Sequence, residues 1–262
     1  MYAQSGDAQL YWESTGSGEP VLLVMGLGMS ATGWWRTVPV LAEGMRVIAF
    51  DNRGVGRSDH TNGQYTMKQL ADDAIAVMDA ANVDAASVYG LSLGGMIAQH
   101  LVLRHPERVR ALVLGATTPG GRRHELPDRE VVEFIRRRPG MPTEEAVWAA
   151  VPYNYSRVTR ERHAKRIGED VKHRLRFAPN PAGYRSQLAA AWRHDTGDRL
   201  HEISVPTLVV HGIEDRIVPL SNGHLLADAI PGARLEVLED AGHLYPTDAP
   251  QADREVLRFL TD

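Results

Sequence analysis

A chain of 262 residues with 43% hydrophobic and 24% charged residues can bury one sizeable core, so it reads as one globular unit with room for an inserted subdomain. Its formal charge of -4 at pH 7 supplies no whole-chain attraction for nucleic acid or an anionic membrane, and neither is expected as a partner. The lack of cysteine excludes disulfides, thiolate metal sites and a cysteine nucleophile, and leaves the redox compartment open.

From the N-terminus, "MYAQSGDAQLYWESTG" shows no basic segment followed by an apolar one, and "PVLLVMGLGM" is too short and too broken by glycine to span a bilayer. A cytoplasmic location is the expectation. Short β-rich apolar runs follow at 20–26 (PVLLVMG), 46–51 (RVIAFD), 86–91 (ASVYGL), 110–115 (RALVLG), 206–212 (PTLVVHG) and 234–240 (RLEVLED). Several are almost continuously apolar, as suits strands buried on both faces. Helical spacing marks 66–82, 94–106, 220–232 and 251–260, with stops at Asn82, Pro106 and Pro231. Strands alternating with helices predict a mostly parallel sheet covered by helices.

From about Pro119 to Asp195 the alternation gives way to helix after helix, through "DREVVEFIRRR", "TEEAVWAAV", "TRERHAKRIGEDVKHRL" and "AGYRSQLAAAWRH". The expected organisation is therefore a core of 1–118 and 196–262 with a helical insertion at 119–195. The insertion carries 16 Lys/Arg against 10 Asp/Glu, a net of +6 that leaves -10 on the remainder. Solvated helix faces with ordinary ion pairs explain this charge more simply than a lid whose cations attract an acidic substrate.

Gly90-Leu91-Ser92-Leu93-Gly94 is a G-x-S-x-G pattern at a predicted strand-to-helix junction. A serine there sits in a tight turn that lifts its hydroxyl clear of the sheet and aims the first amides of the helix at whatever the hydroxyl attacks. A serine hydroxyl is a poor nucleophile at neutral pH, so this chemistry requires a histidine base and a carboxylate to orient it. Asp215, in "LVVHGIEDRIVP", and His243, in "LEVLEDAGHLYPTDAP", both follow predicted strands. Loops at the carboxyl ends of parallel strands share one rim, so Ser92, Asp215 and His243 can converge. Glu214 and Asp240 compete for the carboxylate role and His194, His211 and His224 for the base, with His211 read as structural. The two oxyanion donors are expected to be the backbone N–H groups of Leu93 and of Leu27, in the loop after the first buried strand. Leu91 and Met96 are expected near the site, and Gly26, Trp34, Trp148, Trp192 and Leu244 along the substrate pocket. Trp35, Tyr153 and Tyr155 are further aromatic candidates.

The motifs "VLLVMGLG", "IAFDNRGVGRSD", "VYGLSLGGMIAQHLVLRHPERVRALVL", "LVVHGIEDRIVP" and "DAGHLYPTDAP" together resemble the α/β-hydrolase superfamily over almost the whole chain. "DNRGVGRSD" and "GLSLGGMIAQ" are similar to the enol-lactone hydrolases, and "LLVMG" to the aclacinomycin-type methyl esterases. The resemblance implies an α/β-hydrolase fold with an eight-stranded mostly parallel sheet and a helical cap between strands six and seven. It further implies Ser92 as nucleophile, His243 as base, Asp215 as its orienter, and neither metal nor organic cofactor. Many relatives have His-Gly after the first buried strand where this chain has Met25-Gly26, and methionine cannot supply an imidazole's hydrogen bonds to the loop. "DNRGVGRSD" lacks the ending of a phosphate-binding loop, so Asp51, Arg53 and Arg57 are expected to organise a turn near the site.

The expected activity is hydrolysis of a carboxylic ester or lactone of a small apolar or cyclic molecule through an acyl-enzyme on Ser92. An acyltransferase, a cofactor-free perhydrolase of haloperoxidase type and a slow-turnover ligand-binding module are the alternatives. A homodimer through the cap is compatible with the sequence.

Overall fold

Uncharged runs such as Val21–Val24 can enter a sheet only where both of its faces are covered, because successive side chains point to opposite sides. In the computed structural model, which describes residues 1–177 and 180–262, eight strands form one sheet. They are β1 (Tyr2–Ser5), β2 (Ala8–Thr15), β3 (Pro20–Val24), β4 (Arg46–Phe50), β5 (Ala86–Leu91), β6 (Val109–Gly115), β7 (Thr207–Gly212) and β8 (Arg234–Leu238). Their order is β1-β2-β4-β3-β5-β6-β7-β8. β1, β2 and β4 pair antiparallel, and every pairing from β4 across to β8 is parallel.

All six apolar runs form strands, and β1 and β2 are added to them. β2 was not legible as a buried run because it has one wet face: its residues alternate between buried and accessible along most of its length. The sheet separates two apolar layers. Leu22, Val24, Ile48 and Val88 face the helices Met67–Ala80 and Leu93–Arg104, while Val21, Leu23, Val47 and Tyr89 face Trp34, Leu41 and Val256. Thr66 starts the first of those helices by accepting the Gln69 N–H at 3.1 Å.

Between β6 and β7 the described residues form six α-helices and no strand: Arg129–Arg137, Thr143–Ala149, Val151–Asn154, Arg157–Arg162, Ala164–Arg176 and Pro181–Trp192. The long run at 159–175 breaks at His163, so it contributes to two helices rather than one. The two ends of the segment meet in an antiparallel bridge between Gly120 and Asp195. Its buried Asp170 binds it to the core, accepting from Trp35 Nε1 at 2.9 Å and Arg36 Nε at 3.3 Å, and also from the Thr247 hydroxyl. No helix among the described residues is long and apolar enough to cross a membrane.

Arg53 turns inward from the loop after β4 and donates through Nε and Nη2 to the two oxygens of Asp73, each at 2.7 Å. Their side chains are only 2% and 1% exposed, so this ion pair is sealed inside the protein. Removing one member strands the other charge in a medium that solvates it poorly. Arg53→Met is expected to lower unfolding stability by about 3 kcal/mol, read as a lower urea midpoint at unchanged slope.

Candidate active site

β5 ends at Leu91 and the next helix begins at Leu93, so Ser92 alone makes the reversal, with φ 56° and ψ -118°. A non-glycine residue in the left-handed region costs about 1–3 kcal/mol and persists only where its surroundings hold it. Here the Ser92 N–H donates to Gly115 O at 2.8 Å, and Ser92 O accepts from Gly95 N at 2.9 Å and Thr117 Oγ1 at 2.7 Å. The flanking glycines supply clearance: a Cβ at Gly94 would overlap the Val24 carbonyl, and one at Gly90 would overlap Gly94 itself. The pattern is thus a packing requirement around one strained residue.

The partly buried Ser92 opens onto two cavities. One of about 330 Å³ is lined by Leu27, Leu93, Met96, Leu188 and Trp192; the other, of about 70 Å³, includes Gly26, Leu91, His243 and Leu244. Among the described residues the Ser92 hydroxyl makes no hydrogen bond, and Ser92 and His243 are joined by lining the same smaller cavity. In unliganded sites such contacts are often loose.

His243 Nδ1 lies 2.8 Å from Asp215 Oδ2, and both side chains are buried. An ionised carboxylate only accepts, so Nδ1 carries the proton and Nε2 is left with its lone pair. The other oxygen of Asp215 accepts the N–H groups of Ile217 at 2.9 Å and Val218 at 2.8 Å. Burial alone would raise the Asp215 pKa, but electrostatic attraction to the His243 ring and hydrogen bonds from His211 and His243 outweigh it and hold the carboxyl at about 2. His211 Nε2 is 3.4 Å from Asp215 Oδ2 and 2.8 Å from Val218 O, so this histidine buttresses the acid from below.

The competitors point elsewhere. Glu214 accepts the Arg157 N–H at 2.7 Å, while Asp240 and His224 are exposed. His194 lines the larger cavity but is bonded to Thr118 O at 3.0 Å and to His100 at 3.2 Å. Burial and the neighbouring His100 push its pKa down to about 3.

The loops around the site are fastened by residues that local sequence patterns did not single out. Asn52 Nδ2 donates to Met25 O at 2.9 Å, and Gln187 accepts the Gly28 N–H at 2.9 Å while donating to Arg53 O at 2.9 Å. These two amides hold the loop that an imidazole was expected to support. Asp51 adds the Ala31 N–H at 2.7 Å and Arg57 Nε at 2.9 Å, the turn-organising role expected of "DNRGVGRSD". Among the described residues the N–H groups of Leu27 and Leu93 have no acceptor, and both residues border the cavity beside Ser92. The loop carrying His243 is pinned to the helical segment by Leu244 N to Asn154 O at 2.9 Å. Asp248 adds to this by accepting Gly242 N at 2.7 Å and Ser156 N at 2.9 Å.

Two expected pocket residues are elsewhere. Trp34 is fully buried beneath the loop, tilted against Tyr89 at 4.8 Å between ring centroids, because its indole completes the second apolar layer. Trp148 is 48% exposed and borders neither cavity, its helix presenting Val147 to the core instead. Gly26 and Leu244 line the smaller cavity and Trp192 the larger. Trp35 and Tyr155 bond to Asp170, and Tyr153 to the surface Glu130. Arg138, Asn154 and Tyr184 also line the smaller cavity, and no local motif marks them. Among the described residues no three His, Asp or Glu side chains gather as a metal-ligand set.

A mostly parallel sheet with a serine at a one-residue strand-to-helix turn, and Asp and His on later strand ends, defines a class, the α/β hydrolases. Residues 19–250 match the family described as alpha/beta hydrolase fold, and the chain belongs to that family. It is 32% identical to a protein of Azorhizobium caulinodans provisionally named carbamate hydrolase RutD, over 98% of this chain and 96% of that one. The enol-lactonase of Burkholderia xenovorans superposes with a TM-score of 0.89 at 27% identity over the whole of both chains. A thermophilic esterase of Thermogutta terrifontis superposes with a TM-score of 0.84 at 30% identity, over 100% of this chain and 99% of that one.

The depressed Asp215 carboxyl stabilises the folded state fully above its unfolded pKa near 3.8, and that contribution is lost as pH falls through about 2. Urea unfolding between pH 5 and 2 is expected to show about 2 kcal/mol of pH-dependent stability that Asp215→Asn lacks.

Proposed function

We propose that this α/β hydrolase cleaves a carboxylic ester or lactone through an acyl-enzyme on Ser92. The observation that carries the reading is the strained Ser92 turn, held open onto a cavity it shares with a histidine whose other nitrogen is fixed by a buried carboxylate. A site without chemistry gains nothing from that strain or from sealing an aspartate under two amide donors.

In the proposed cycle His243 Nε2 takes the Ser92 proton as Oγ attacks the acyl carbon, and the imidazolium so formed is stabilised by Asp215. The free N–H groups of Leu27 and Leu93 receive the oxyanion. His243 then gives its proton to the departing alcohol oxygen, and the carbon–oxygen bond breaks. Water attacks the acyl carbon, passing a proton to His243; collapse returns that proton to Ser92 and releases the acid. The larger cavity, walled by Met96, Leu188 and Trp192, suits an apolar or cyclic group. The names of three similar proteins, an enol-lactonase, an esterase and a carbamate hydrolase, each point to attack on an acyl carbon bonded to a heteroatom, which supports this chemistry.

A fluorophosphonate should add once to the wild-type chain, giving a single mass increment that Ser92→Ala abolishes. Ser92→Ala and His243→Ala should each lower kcat on an aryl ester by about 10⁴-fold or more with thermal unfolding preserved. A folded wild type that the reagent leaves unmodified would remove the acyl-enzyme reading.

A further inference from the structure

His211 is the last side chain of β7 before Gly212, and it is wholly buried. It lines neither cavity beside Ser92. Its Nε2 lies 2.8 Å from Val218 O; a carbonyl only accepts, so Nε2 carries the proton and Nδ1 is left with a lone pair. Among the described residues that lone pair has no hydrogen-bond partner. A leucine or valine, like those at 208–210 in the same strand, would leave no polar atom unpaired there, so packing alone does not select an imidazole. The fold nevertheless gives the ring a seat. A Cβ on Gly223, inside the helix Ser221–Ala229, would come within 2.8 Å of Nδ1. Glycine inside a helix costs about 1 kcal/mol relative to alanine, and here it makes room for the imidazole.

What the ring reaches is the acid of the site. His211 Nε2 is 3.4 Å from Asp215 Oδ2, the same oxygen that lies 2.8 Å from His243 Nδ1. The contact is longer than a full hydrogen bond, so the N–H is shared unequally, more with Val218 O and less with the carboxylate. Asp215 Oδ1 is taken by the N–H groups of Ile217 and Val218, which leaves Oδ2 as the oxygen on which the two histidines meet. Burial pushes the Asp215 carboxyl up, and the contact with His211 is among those that hold it at about 2. The neighbouring charged groups turn away: Arg216 pairs with Glu130 at 3.1 Å, Glu214 accepts the Arg157 N–H at 2.7 Å, and His224 and Asp240 are exposed. On the far side of His243, Arg138 lines the smaller cavity and Asp248 accepts the Gly242 and Ser156 N–H groups. A second donor on a carboxylate oxygen spreads its charge and weakens its hold on an imidazolium at the first.

We propose that His211 is a positioning residue for the His243 base: its N–H shares Asp215 Oδ2 with His243 and tempers the pull of the carboxylate, so that the base stays unprotonated to lower pH. This role rests on the reading of His243 as the base, whereas the sharing of Oδ2 can be measured without turnover.

In Ser92→Ala protein carrying isotope-labelled histidine, the downfield proton resonance of His243 Nδ1–H reports its bond to Asp215. Adding His211→Leu should move that resonance further downfield, because Oδ2 then has a single donor. His211→Gln, whose amide reaches to the same place as Nε2, should leave it near the parent position. In enzyme with Ser92 intact, His211→Leu should move the acidic limb of kcat/KM for an aryl ester to higher pH by about half a unit with KM unchanged, and His211→Gln should restore it. A role confined to bracing the turn has the opposite signs: a loosened Asp215 moves the resonance upfield and the limb to lower pH, and a displaced Ile217–Val218 wall raises KM. Those results overturn the proposal, as does a resonance and limb that do not move. Ring-nitrogen couplings showing His211 protonated at Nδ1 in the parent protein also overturn it, and that measurement needs no change at His211. A downfield move in a protein whose wild type cleaves no ester upholds the shared oxygen and defeats the role given to Ser92.

Discussion

The site depends on one residue being forced into a backbone conformation that its side chain disfavours. Ser92 at φ 56° reverses the chain in a single step, and the strain is sustained by neighbours on three elements. β6 contributes the Gly115 carbonyl, Thr117 just beyond it fastens the Ser92 carbonyl, and Gly94 lets the new helix lie against the Val24 carbonyl at the end of β3. Any slip in the β3–β5 register, which pairs Val24 with Gly90, would break that contact. The sheet is therefore the instrument that holds the turn.

The strand order explains why the two oxyanion candidates meet. From β3 the sheet grows one way to β4 and the other way to β5, so the loops leaving β3 and β5 diverge and leave a crevice between them. Gly26 lies in that crevice, where a Cβ would come within 3.2 Å of Ser92 Cβ. The Asp215 and His243 loops leave β7 and β8 at the same rim. Their positions are not set by the sheet alone, because Asn154, Ser156 and Asp170 of the helical segment bind the His243 loop and its sequel directly. The segment that covers the site thus also holds the loop of His243 in place.

The legible parts of this molecule were those in which one local pattern has one physical cause. Short β-rich apolar runs alternating with helices are met by strands, so β3 to β8 were visible, even the partly covered edge strand β8; β2, half wet, was not. The G-x-S-x-G spacing encodes a clash that only glycine avoids, so the turn was visible too. Tryptophan carries no such directional information: Trp34 and Trp192 look equally suited to a pocket, and only the packing of the second layer shows that one is interior. The missing imidazole at Met25 looked like a loss because its replacements lie far along the chain, Gln187 being 159 residues from the Gly28 amide it accepts.

Charge shows the same limit in its strongest form. The count of cations in the helical segment was correctly read as mostly solvated, since exposed arginine–glutamate pairs contribute only about 0–1 kcal/mol each and constrain little. A count cannot separate those from a cation turned inward, such as Arg174, which is only 8% exposed, yet the two have opposite energetics. Water screens the first kind almost completely, while a buried cation retains more of its field. Arg136, Arg137 and Arg138 are identical in composition and adjacent in sequence, but the first two lie in the exposed last turn of a helix and the third begins the turn at Pro139. Where the helix stops thus decides which of three equivalent side chains lines the cavity that Ser92 also borders.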